Sequence, residues 1–227
     1  MNLGAAIGQV LPLAIGVGLS PVPIIAVVLM LVTPRARANG PAFVIGWLVG
    51  LAAVGTIVLL VAGPTNASSD GQPATWVNWL KLLLGVGALL IALKQWRGRP
   101  HEGDEPATPK WMGAIDGFTP PKALGAGVLL AGANPKNLLL SVAAAASIAS
   151  TGISGADQAI AYGVFAVIGT VGVGAPVVIY FAMGDRSRAP LDRLKTWMGA
   201  NNAVIMAVLL LVIGAKLIGD AIGGFSS

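Results

Sequence analysis

Two short stretches combine residue types that could hold an anion. Gly18-Leu19-Ser20-Pro21-Val22-Pro23 and Gly132-Ala133-Asn134-Pro135-Lys136-Asn137 each place Ser or Asn directly before proline, inside a long apolar run. Ser-Pro and Asn-Pro are helix-start signals, with the polar residue as N-cap and proline as the first helical residue. Proline also lacks an N–H, so a carbonyl four residues earlier loses its helical partner. A helix that starts there leaves unpaired N–H groups and a positive dipole end, which together suit an anion. The candidate substrate-binding residues are therefore Ser20, Pro21, Pro23, Asn134, Pro135, Lys136 and Asn137. Lys136 adds a formal charge. At the centre of a bilayer a lysine costs about 2.5–3.5 kcal/mol, so it must face a cavity, a partner or a ligand. Its partners are sought among freed carbonyls, Ser20, Asn134, Asn137, Ser141 or a bound anion, because no Asp or Glu lies in an apolar run. Asn137 could orient a headgroup or satisfy the backbone, and both readings stay open.

Other chemistries are argued against. The chain has no cysteine and one histidine, His101, in its most polar stretch. No thiol relay or thiolate metal site can form, and an intramembrane serine or zinc hydrolase would lack its imidazole. Without a Walker motif, ATP hydrolysis is not expected. No catalytic residue, metal or cofactor is assigned, and the chain is read as a non-enzyme.

The elements that must position these residues follow from composition. Of 227 residues, 56% are hydrophobic and only 10% charged, with a mean hydropathy of +0.82. A soluble domain carries about 25% charged residues, so this is read as an all-α integral membrane protein. Six apolar stretches stand out: Gly4–Val32, Pro41–Ala62, Trp76–Leu93, Ala123–Ser150, Ala159–Met183 and Ala200–Gly219. About 20 residues span the hydrocarbon. At about 1.5 Å per residue the first and fourth would form helices of about 42 Å, so they must tilt, protrude or break. The first run lacks a basic flank and exceeds a signal-peptide core, so it is read as a retained helix.

Charge sets the expected orientation. The first, third and fifth connections hold 11 of the 14 basic residues, and the second and fourth hold none. Basic connections face the cytoplasm, which puts both termini outside a bacterial cytoplasmic (inner) membrane. This explains the net charge of +5 without nucleic acid. Lys81 and Lys216, near outer helix ends, are expected to snorkel. In the third connection, Trp111, Ile115 and Phe118 have the spacing of a short interfacial helix.

The two proline motifs also align. Gly18 falls over Gly132, and Gly46, Gly50 and Gly55 on the next helix answer to Gly163, Gly169 and Gly174. The chain thus divides into a first three-helix repeat (1–94), a cytoplasmic loop (95–122) and a second, inverted repeat (123–227). Helices 1 and 4 are broken at their proline motifs, the plan of secondary transporters. Gly46-Trp47-Leu48-Val49-Gly50 reads as close helix packing.

This arrangement resembles the lysine-exporter superfamily. Its details are most similar to the glycolipid-addressing branch, through Ser20-Pro21-Val22-Pro23, Pro109-Lys110-Trp111-Met112 with Ile115-Asp116 and Pro120, and Asn134-Pro135-Lys136-Asn137-Leu138. The resemblance covers nearly the whole chain. It implies a transporter of lipid-linked or glycolipid molecules toward the cell envelope. A membrane lipid or glycolipid is then the substrate partner, and a second copy of the chain or enzymes of envelope-lipid synthesis are candidate protein partners. Two alternatives remain: an exporter of small amino-acid-like or anionic solutes, and a non-transporting scaffold for envelope-lipid assembly.

Overall fold

The computed structural model describes residues 2–62, 68–69, 72–73, 75–99 and 115–226. Apart from a two-residue antiparallel pairing of Ser68–Ser69 with Gln72–Pro73, the described elements are helical. His101 and the motif Pro109-Lys110-Trp111-Met112 lie outside the described residues. So does most of the expected interfacial helix, of which a single 3₁₀ turn, Ile115–Gly117, is described.

The first apolar stretch forms α1 (Leu3–Gly18) and α2 (Pro21–Leu31), bent by 51° at the break. Then come α3 (Ala36–Ala62) and α4 (Thr75–Arg97). The fourth stretch is likewise split into α5 (Pro120–Gly132) and α6 (Pro135–Ala149), bent by 62°. The chain ends with α7 (Gly155–Met183), a 3₁₀ turn over Gly184–Ser187, and α8 (Arg188–Phe225). Ser154 caps α7 by accepting from the N–H of Asp157, 3.2 Å away. Gly184 ends it at φ 55°, a left-handed conformation that favours glycine.

Three helical stretches among the described residues are long and apolar enough to cross a membrane, or five if each bent pair is one span. One of the three, Gly155–Phe225, has 71 residues. At about 1.5 Å per residue it far exceeds a core of about 30 Å, and the turn at Gly184 divides it. The outer surface is apolar, with Leu60 78% and Val178 67% exposed. Water would not tolerate such a surface at this extent, whereas lipid does. The chain is a membrane protein.

The buried core joins α1, α2, α3 and α5 to α8. Packing follows a reciprocal scheme: α1 lies on α7 and α5 on α3, α2 on α8 and α6 on α4, and α4 and α8 lie against each other. Glycine permits the closest approaches. A Cβ on Gly46 would stand 2.0 Å from the Leu124 carbonyl oxygen, and one on Gly127 2.2 Å from that of Phe43, so α3 and α5 meet backbone to backbone. Gly172 does the same for α7 and α1, its Cβ falling 1.7 Å from the Gly18 carbonyl oxygen. The expected glycine correspondence is corrected here. Gly163 has nothing within 4 Å and Gly174 meets only Thr170 of its own helix, whereas Gly169 and Gly172 make the contacts with α1. Snorkelling is also corrected for Lys81, which is buried, while Lys216 is partly exposed and pairs with Asp220.

Candidate functional site

The two breaks lie side by side, and side chains repair the hydrogen bonding each disrupts. In a continuous helix the carbonyls of Gly16 and Val17 would accept from residues 20 and 21. Ser20 leaves the helical path, with φ −90° and ψ 105°, and Pro21 has no N–H. Lys136 Nζ, from α6, donates to the Gly16 oxygen at 2.6 Å. The Ser20 hydroxyl lies 2.7 Å from the Val17 oxygen and 2.8 Å from Asn137 Oδ1, so its one proton is shared between two acceptors. Asn137 Nδ2 donates to the Leu130 oxygen at 2.9 Å, a carbonyl freed by the second break. Asn137 therefore satisfies its own break directly and the other through Ser20, which favours the backbone reading of its role.

The N-cap expectation holds for one motif. Asn134 Oδ1 accepts from the Lys136 N–H at 3.1 Å. Ser20 occupies the cap position of α2 without a capping bond, because its hydroxyl is engaged elsewhere.

Both helix starts open into one cavity of about 360 Å³. Ser20, Pro21, Val22 and Pro23 line it from α2, and Asn134, Pro135 and Lys136 from α6. The structure thus gathers every residue named from the sequence except Asn137, which sits fully buried behind the wall. The opposite wall comes from α4, through Ile91, Lys94 and Gln95, and from α8, through Asn202 and Met206. Sequence reasoning missed Lys94, Gln95 and Asn202. Lys94 read as a topology charge, and the only signal for Asn202 was the Asn201-Asn202 pair at the start of an apolar stretch.

The arrangement favours negative charge: two helix N-termini, the ammonium of Lys136 and that of Lys94 border a common space, and among the described residues no acidic side chain lines it. An ammonium carries three donors, and Gly16 takes one from Lys136.

A family model described as Sap, sulfolipid-1-addressing protein, matches residues 10–223. The chain belongs to the sulfolipid-1-addressing protein family. The matched region contains both breaks and every cavity-lining residue of this family member. No curated protein and no solved structure matches the chain.

Proposed function

We propose that this protein moves lipids with an anionic, glycolipid-type headgroup across the bacterial cytoplasmic membrane. The family supports a role in glycolipid localisation or transport. One observation carries the finer reading: helix starts from the two halves of the chain, with Lys136 between them, line a single cavity. In this reading the headgroup occupies that cavity, drawn by the two positive helix ends and countered by Lys136, while its acyl chains stay in lipid. Six spans arranged as two inverted three-helix units would suit the reciprocal packing of α1 on α7 and α5 on α3. The same plan supports a likeness to the lysine-exporter superfamily, and the basic connections support an orientation with both termini outside.

The experiment is mass spectrometry of lipids copurified with wild type and Lys136→Ala, followed by delivery of labelled envelope lipids to the outer leaflet. Wild type should retain anionic lipids and deliver them, and the variant should do neither. Equal retention and delivery by both proteins would overturn the proposal. Retention without any lipid movement by wild type would favour a scaffold.

A further inference from the structure

The cavity occupies one end of the α4–α8 pair, and the other end holds a buried lysine beside a partly exposed ion pair, which the proposed mechanism does not use. Lys81 on α4 is only 6% exposed. It lies within electrostatic range of Asp220 and Lys216 on α8. Lys216 donates to Asp220, so among the described residues two ammonium groups share the influence of one carboxylate. One turn before Lys81, Asn78 donates from Nδ2 to the Gly224 oxygen at 2.7 Å, while its Oδ1 is buried without a partner. A charge buried in a spanning segment, as that of Lys81 is, is expensive and points to a functional position.

The two ends correspond. Asn78 meets Gly224, Gly85 meets Gly214, and Gln95 shares the cavity with Asn202, so the helices run antiparallel. Leu89-Leu90-Ile91-Ala92-Leu93-Lys94 on α4 matches Leu211-Val212-Ile213-Gly214-Ala215-Lys216 on α8. A two-fold operation exchanging the helices carries Lys94, at the cavity end, onto Lys216 at the other. In an inverted-repeat transporter one side is open while its counterpart is closed.

Resting on the transporter reading above, we propose that Lys81 and Lys216 form a second site for the same anionic headgroup, the counterpart of the wall at Lys94, with Asp220 holding it shut in this conformation. An arriving phosphate or sulfate competes with the Asp220 carboxylate for the two ammonium groups. The headgroup is then released at this end of the pair.

The native chain has no cysteine, so single cysteines report on each end. Ala221→Cys, fully buried beside Asp220, reads the proposed site, and Met206→Cys reads the cavity. Maleimide labelling is measured on the full chain in phosphatidylcholine nanodiscs. Asp220→Asn should speed labelling at Ala221→Cys about tenfold, the shift expected when a closed state loses a charge-assisted bond, and slow it at Met206→Cys. Unchanged labelling at Ala221→Cys, or a rise at both positions, would overturn the proposal, since general loosening exposes both. In a second arm, short-chain phosphatidylglycerol and a sulfated glycolipid are titrated separately onto Ala221→Cys with Asp220 intact. Either anion should speed labelling and added phosphatidylcholine should not, while Lys216→Gln should abolish the response, and an unaltered response in Lys216→Gln would sink the second site. Phosphatidylglycerol binding to Lys136→Ala, measured in a Lys216→Gln background that disables the second site, tests the central cavity independently. Binding that survives that change refutes the transporter reading, whereas binding that is lost beside unaltered Ala221→Cys labelling refutes only the second site.

Discussion

Lys136 carries two opposed energetic effects. Burying its ammonium in a span costs about 2.5–3.5 kcal/mol, and its bond to the Gly16 carbonyl spares that oxygen a penalty of about 1–3 kcal/mol. Lys136→Ala removes both, so the variant should unfold within about 2 kcal/mol of wild type while losing retention of anionic lipid. Lys136→Arg should keep part of the retention, having the charge in another geometry. Asn137→Leu should behave in the opposite manner. It leaves the Leu130 oxygen unpaired and Ser20 without its cross-link, for a loss of about 1–3 kcal/mol visible as a lower melting temperature in detergent. Should Lys136→Ala melt far below Asn137→Leu, its role would be structural. That Lys136 needed an interior partner was legible from its apolar surroundings. Which partner it found was not, because the Gly16 carbonyl lies 120 residues away in sequence.

Proline alone does not break these helices. Pro12 in α1 and Pro176 in α7 sit inside continuous helix, whereas the breaks at Pro21 and Pro135 follow a residue in extended conformation. What separates the two classes is the set of polar side chains that take up freed carbonyls, since lipid offers no water to do so. Close helix pairs impose a different demand. Gly46→Ala and Gly172→Ala would drive a Cβ into a neighbouring carbonyl and should each destabilise by about 1–3 kcal/mol. Gly163→Ala meets open space and should be neutral or gain up to about 1 kcal/mol from helix propensity. Thermal unfolding of the three variants checks the assignment, and equal effects would refute it. All three glycines look alike in sequence, and only the helix crossings distinguish them.

At the scale of the molecule, orientation can be tested with single cysteines and an impermeant thiol reagent in intact cells. Ser154→Cys should react and Ala38→Cys should not; both are exposed. Ser187 would be uninformative because it is fully buried, and Asp185, with its side chain 93% exposed, replaces it as a residue expected not to react. Labelling of Ala38→Cys and Asp185→Cys but not Ser154→Cys would invert the topology. Cysteines at Ser20 and Asn134 should join through a short bifunctional reagent, because both line one cavity. Failure to join, while cysteines at Ala92 and Ala207, which line one groove between α4 and α8, do, would remove the shared cavity.

Composition and hydropathy by themselves determined that this chain is a helical membrane protein, where its apolar stretches fall, and that the first and fourth of them break. These are largely local properties: span length is limited by bilayer thickness, and Ser-Pro or Asn-Pro within an apolar run marks where a helix can restart. The tertiary structure decided which carbonyl each polar side chain repairs, which glycines bear helix contacts, and that α4 and α8 close the cavity with Lys94, Gln95 and Asn202. Those depend on how helices distant in sequence cross, and a crossing is fixed by surfaces that exist only once the helices have formed.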